Sequence, residues 1–204
     1  AQLDAIFDDF DVAAVKTGML SSAEIIRTVV KLLKPQQVKS LVVDPVMIAK
    51  GGQALLKPDA IDTLKSALFP LALLVTPNVH EAQQLSGIEI TSLADARRAA
   101  KVIHQFGCAN VLIKGGHLQK ERGTDLLYDG RFFNIFKGEY IDTPHTHGTG
   151  CTFASAIAAH LARGKSVSDA VQTAKTYLTE AIRHGLAIGH GKGPTNHFYF
   201  LNQG

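Results

Sequence analysis

Leu41-Val42-Val43-Asp44-Pro45-Val46-Met47 is the stretch from which the fold can be read. Its first three residues are apolar on both faces, the pattern of a strand buried inside a parallel sheet, and the run then stops on an acid and a proline. The pattern recurs on either side. Val12–Val15 leads into Lys16-Thr17-Gly18-Met19, Leu71–Val75 into Thr76-Pro77-Asn78 with Glu81 beyond, and Val111–Ile113 into Lys114-Gly115-Gly116-His117. Helical stretches separate these strands. Ser21 with Glu24 reads as a capping box, opening a helix with Ile25, Ile26, Val29, Val30 and Leu33 on one side that stops before Pro35. Asp59–Ser66, Glu81–Leu85 and Leu93–Phe106, closed by Gly107, read as further helices. Beyond them Asp125–Tyr128 and Phe132–Phe136 flank Asp129-Gly130, a hairpin signal. Cys151–Arg163 and Val167–His184 read as long helices, the second opened by Ser166 and Asp169, with Lys175, Tyr177 and Glu180 at its wetter positions. The alternation predicts an α/β domain: a mostly parallel sheet, helices on both faces and an antiparallel addition. No repeat or linker breaks it, so residues 1–204 read as a single domain.

Composition narrows the function. Of 204 residues, 46% are hydrophobic and 19% charged, which suits a globular chain and excludes a disordered tail or a disulfide scaffold. The net charge of +3 comes from scattered basic residues, so a nucleic-acid partner is not expected. A small phosphorylated ligand remains compatible. Two cysteines, Cys108 and Cys151, suggest a reduced, cytoplasmic protein. The apolar run Ala67–Val75 contains Pro70 and is far shorter than the ~20 residues a membrane helix needs. Ala1–Phe10 is acidic and lacks the basic flank of a signal peptide.

Open α/β sheets bind ligands beyond the carboxyl ends of their strands. Each strand delivers a polar residue, and usually a turn former, to that edge, and together they describe a rim. Each also has a plainer reading. Asp44 before Pro45 could simply end a strand, Asn78 and Glu81 could cap a short helix, and Lys114-Gly115-Gly116 could be a turn. The strongest signal is Thr146-His147-Gly148-Thr149-Gly150-Cys151-Thr152, a Gly-rich loop entering the apolar helix Phe153 to Leu161. Its plainer reading is a loop closing on a helix for packing. Free N–H groups and the macrodipole at such a start favour phosphate or a developing oxyanion. A thiol in this first turn should ionise more readily. No Walker loop, zinc spacing or G-x-S-x-G elbow is present in the sequence.

Gly148-Thr149-Gly150 with a base after it resembles the anion hole of the ribokinase-like superfamily. Cys151, where an aspartate is more usual, narrows the resemblance. Lys16–Leu20, Asp44–Met47, Thr76-Pro77-Asn78 with Glu81, Lys114–His117 and His147–Thr152 occur in an order similar to the hydroxymethylpyrimidine/phosphomethylpyrimidine kinases of thiamin biosynthesis. The resemblance implies a three-layer α/β/α sandwich. It implies ATP-dependent phosphorylation of 4-amino-5-hydroxymethyl-2-methylpyrimidine, then of its monophosphate. Under it, Gly148, Thr149 and Gly150 hold the transferring phosphoryl group and Cys151 is the base or anchor for the attacking hydroxyl. Asp44 and Glu81 organise Mg²⁺, Lys114 and Lys175 meet ATP, and Met19 and Val46 line the pyrimidine pocket. A homodimer is implied as well.

The family's Gly-rich N-terminal segment, which supplies initial strands and part of the pocket, is not seen in these 204 residues. The expectation is a longer natural protein, with an unfilled sheet edge and an open pocket here. Three alternatives stay open: a pyridoxine or pyridoxal kinase of the same fold, a non-catalytic ligand-binding fragment and, more weakly, a sugar kinase.

Overall fold

The computed structural model describes residues 1–47, 56–116 and 121–202. His117, the last residue of one quoted motif, lies outside them. After helix α1 (Gln2–Asp9) the chain alternates β1 (Val15–Thr17), α2 (Ala23–Leu33) and β2 (Leu41–Val43). Then come α3 (Pro58–Thr63), β3 (Leu74–Val75), α4 (Val79–Ser86), α5 (Leu93–His104) and β4 (Val111–Lys114). The hairpin β5 (Thr124–Tyr128) and β6 (Phe133–Lys137) precedes α6 (Thr149–Ala162) and α7 (Val167–Arg183). The sheet has six strands in the order β1-β2-β3-β4-β5-β6. The first four are parallel, and β5 and β6 are antiparallel.

Alternation along each strand builds two cores. Leu41, Val43, Val75, Val111, Ile113 and Leu126 face one layer, where Ile26 and Leu33 of α2, Leu85 of α4 and Ile103 of α5 pack. Val42, Leu74, Leu112 and Leu127 face the other, against Phe153, Ile157 and Leu161 of α6 and Val171 of α7. Each such side chain, fully buried, stabilises by about 1.5–3 kcal/mol, which is why both faces of these short strands are apolar. The result is the expected three-layer α/β/α sandwich.

Several boundaries move for identifiable reasons. The first strand is Val15–Thr17, not Val12–Val15, because Val15 pairs with Leu41 and Thr17 with Val43. Hydrogen bonding to β2 sets the strand, and Lys16 and Thr17 follow it despite their polarity. Ser22, not Ser21, caps α2: its Oγ accepts the Ile25 N–H at 3.3 Å, and Glu24 becomes a first-turn acid. The third strand shrinks to Leu74–Val75 because Phe69–Leu71, around Pro70, winds into a 3-10 turn. The helix expected over Asp59–Ser66 ends at Thr63 and continues as a π turn over Leu64–Leu68. In α7, Lys175 is buried at 7% exposure, contrary to its assignment as a wet position.

Among the described residues β1 is hydrogen-bonded on one side only, at the sheet's margin. Its polar carboxyl end is the start of the candidate site.

Candidate active site

The carboxyl ends of β1 to β4 converge as a parallel sheet requires. Asp44, immediately after β2, is 1% exposed. Its Oδ1 accepts from Lys114 Nζ at 2.7 Å and from the Thr76 hydroxyl at 3.3 Å. Its own N–H donates to Thr17 O at 3.1 Å. The Thr17 hydroxyl, buried beside it, has no partner among the described residues. Thr76 was quoted in the sequence only as part of a strand-end motif, with no role of its own.

Asn78 and Glu81 realise their plainer reading and the rim reading together. The Glu81 N–H donates to Asn78 Oδ1 at 2.9 Å and the Asn78 N–H to Glu81 Oε2 at 2.7 Å, a capping box that opens α4. Glu81 is also 3% exposed and within the fields of Lys114 and Asp44. Burial raises its carboxyl above the ordinary range, against the opposing pull of Lys114. Burial disfavours the Lys114 ammonium, but Asp44, Glu81 and Cys151 outweigh it and hold its pKa above normal. The ammonium thus sits beside the carboxyl groups of Asp44 and Glu81.

The Gly-rich loop closes over that ammonium. Gly148 is the N-cap of α6 with φ 80°, a left-handed conformation that glycine adopts without a Cβ penalty. Helix α6 starts at Thr149, two residues before the expected Cys151. Thr149, Gly150 and Cys151 therefore precede the first helical hydrogen bond, Thr152 N–H to Gly148 O. Their N–H groups belong to the turn where a helix attracts anions. A Cβ on Gly150 would lie 3.4 Å from Lys114 Nζ. The helix start and the lysine are therefore within contact distance of one another. An anion seated there would meet backbone donors and an ammonium at once.

Cys151 is exposed, whereas Cys108 is buried, donates its thiol to Ile103 O at 3.7 Å and has its pKa pushed up by burial to about 12. A thiolate is the reactive form. Iodoacetamide on the native protein at about pH 8 is therefore expected to modify Cys151 and spare Cys108, giving one label by intact mass. Two labels would contradict this.

The remaining candidates sit differently. Lys175 does not present a free ammonium at the loop: its Nζ is 2.6 Å from Asp125 Oδ2 and 2.7 Å from Gly123 O. Asp125 was missed, although its charge in the otherwise apolar strand Leu126-Leu127-Tyr128 was the available clue. Met19 is 55% exposed and Val46 half-buried, at the carboxyl ends of the adjacent strands β1 and β2. An open groove of about 440 Å³ runs from Cys151 and Thr152 along α6 to Tyr177 and His197, and Met19 and Val46 are not among its lining residues. There Thr152 Oγ1 and His197 Nε2 are 3.1 Å apart.

No group of three or more His, Cys, Asp or Glu suited to a metal occurs among the described residues. Mg²⁺ asks for less: one or two carboxylates, waters and a nucleotide's phosphates. Asp44 and Glu81 fit that need, because a divalent cation would offset the burial that raises Glu81. Among the described residues no helix is long and apolar enough to cross a membrane.

Known proteins share this arrangement of elements. A family model described as phosphomethylpyrimidine kinase matches residues 1–196. The hydroxymethylpyrimidine/phosphomethylpyrimidine kinase of Bacillus subtilis is 46% identical over 200 residues, 98% of this chain and 74% of that protein. The thiamine biosynthesis bifunctional protein ThiED of Geobacter sulfurreducens is 50% identical over 196 residues, 96% of this chain but 40% of that longer protein. The ADP complex of Bacillus subtilis pyridoxal kinase superposes with a TM-score of 0.89 at 42% identity, covering 98% of this chain and 75% of that one. The fold is thus that of the ribokinase-like kinases, and the chain belongs to the phosphomethylpyrimidine kinase family.

Proposed function

We propose that this protein uses ATP to phosphorylate 4-amino-5-hydroxymethyl-2-methylpyrimidine and then the resulting monophosphate, as in thiamin biosynthesis. The observation that carries the reading is the approach of Lys114 Nζ to the Gly148–Cys151 helix start. Phosphoryl transfer needs in-line placement and neutralisation of spreading charge more than covalent chemistry. The N–H groups of Thr149, Gly150 and Cys151 and the Lys114 ammonium hold the γ-phosphoryl oxygens. Cys151 sulfur accepts the proton of the substrate hydroxyl as its oxygen bonds to the γ-phosphorus, and the bond from that phosphorus to the departing ADP breaks. Asp44 and Glu81 would hold Mg²⁺, which would supply charge neutralisation on the phosphates. Met19 and Val46 flank the flat ring. The homodimer and the cytoplasmic setting belong to the same reading.

A second reading, phosphorylation of a pyridoxine-type alcohol, is favoured by the likeness to Bacillus subtilis pyridoxal kinase. ADP release measured in parallel with both alcohols decides between them. The pyrimidine is expected to give the higher kcat/KM. Equal or better turnover of pyridoxine overturns the first reading, and no ATP use with either alcohol overturns both.

A further inference from the structure

Asp125 and Lys175 are buried charged groups to which the phosphoryl-transfer reading gives no task. Each side chain is 9% exposed. Asp125 uses both carboxylate oxygens: Oδ1 accepts the Gly115 N–H at 3.0 Å and Oδ2 accepts Lys175 Nζ at 2.6 Å. The same ammonium donates to Gly123 O at 2.7 Å. One lysine on α7 therefore holds both ends of the connection that leaves β4 directly after Lys114, at Gly115 through Asp125 and at Gly123 directly.

Stability alone does not call for this pair. Apart from the buried Thr124 beside Asp125, the buried residues near the pair on the two elements are apolar, Leu126 and Leu127 on β5 and Val171 and Ala174 on α7. Buried ion pairs replaced by apolar residues of similar volume often leave a protein as stable or more so. The path of the lysine is also built. A Cβ on Gly138 would stand 2.6 Å from Lys175 Cε, so that position is bare where the stem passes. Asp125 further lies within the field of Lys114.

We propose that Lys175 is a positioning residue: acting through Asp125, it fixes the Gly115 N–H and with it the aim of the adjacent Lys114 at the ATP phosphates. The proposal rests on the reading of Lys114 given above. A hydrogen bond to a charged acceptor is stronger than a neutral one, and the pair keeps the turn from drifting. Misplacement of reacting groups by about 1 Å can cost around a hundredfold in rate.

The test compares wild type with Lys175→Met, Gly138→Ala and the double variant Asp125→Leu/Lys175→Met. The readouts are Gly115 amide exchange by NMR, thermal midpoint, and KM for ATP and for the alcohol. In Lys175→Met the Gly115 amide is expected to exchange about tenfold faster or more, and KM for ATP to rise about tenfold, the loss of one charge-assisted bond. KM for the alcohol stays within about twofold, since the pair lies on the phosphate side. Gly138→Ala moves the lysine stem with both charges present and shifts the same readouts in the same direction. The double variant regains thermal stability but neither Gly115 protection nor ATP affinity. The proposal is overturned if Gly115 exchange and KM for ATP are unchanged in Lys175→Met, or if both recover in the double variant. Should Lys175→Met not fold, Gly138→Ala decides by the same readouts. A wild type that fails to use ATP refutes the kinase reading, and Gly115 exchange then still decides the positioning role.

Discussion

Cys151→Ala is expected to lower kcat by about a hundredfold or more, the ordinary contribution of a positioned acid–base group. KM for ATP should stay within about threefold, because alanine leaves the backbone N–H groups of the helix start in place. The thiol is exposed, so folding should be nearly unaffected. Steady-state kinetics with the pyrimidine alcohol, beside a nucleotide titration, separates the two effects. Weakened ATP binding at normal kcat would make Cys151 a nucleotide contact, and unchanged kinetics would remove it from the mechanism.

Lys114→Met is expected to damage both activity and stability. Removing a cation aimed at the phosphates should lower kcat/KM by about a hundredfold or more, as loss of one preorganised donor does elsewhere. The same change strands Asp44, whose side chain is 2% exposed and 2.7 Å from the ammonium. Breaking a buried pair from one side costs about 3–5 kcal/mol. The stability deficit has a pH signature. Glu81 is already raised by burial, with Lys114 the main opposing influence. Without Lys114 it moves further up. A carboxyl whose folded pKa is raised favours the folded state below that value and penalises it above. The Glu81 share of the deficit is therefore expected to be largest above the raised Glu81 pKa and to shrink as pH falls through it toward the ordinary carboxyl range. The double variant Asp44→Asn/Lys114→Met should regain much of the stability and none of the turnover. Recovery of turnover would mean that Lys114 does not serve the phosphates.

Much of the sheet was legible because buried parallel strands have little choice of residue. Leu41–Val43 was read with its observed bounds, since both faces of β2 meet helices. The hairpin around Asp129-Gly130 was legible because its turn chemistry is local. Helix starts were less so: Ser21 and Ser22 are adjacent, and only the helix's own register selects Ser22 as the cap. The first and third strands shifted because pairing partners, not hydropathy, set where a strand is hydrogen-bonded.

The rim showed the same division. Asp44, Glu81, Lys114 and Gly148–Cys151 were visible because each follows a recognisable strand end or opens a helix. Lys175 was visible as a cation but read as a wet position, whereas it is buried against Asp125. Helix periodicity reports which face a residue is on, but its partner, Asp125, is on a strand 50 residues away in sequence. Gly138 carried too little local signal to be singled out, and Thr76 was visible only as part of a strand-end motif.

The sequence by itself determined the alternation of elements, the polar ending of each strand and the Gly-rich helix start, because these depend on local backbone preference and burial. Only the tertiary structure decided which charges face one another. It put Lys114 between Asp44 and Gly150, and it turned Lys175 inward to Asp125. The physical reason is range. A hydrogen bond or ion pair acts over about 3 Å in space, whatever the separation along the chain, and only the packed sheet brings those atoms within that reach.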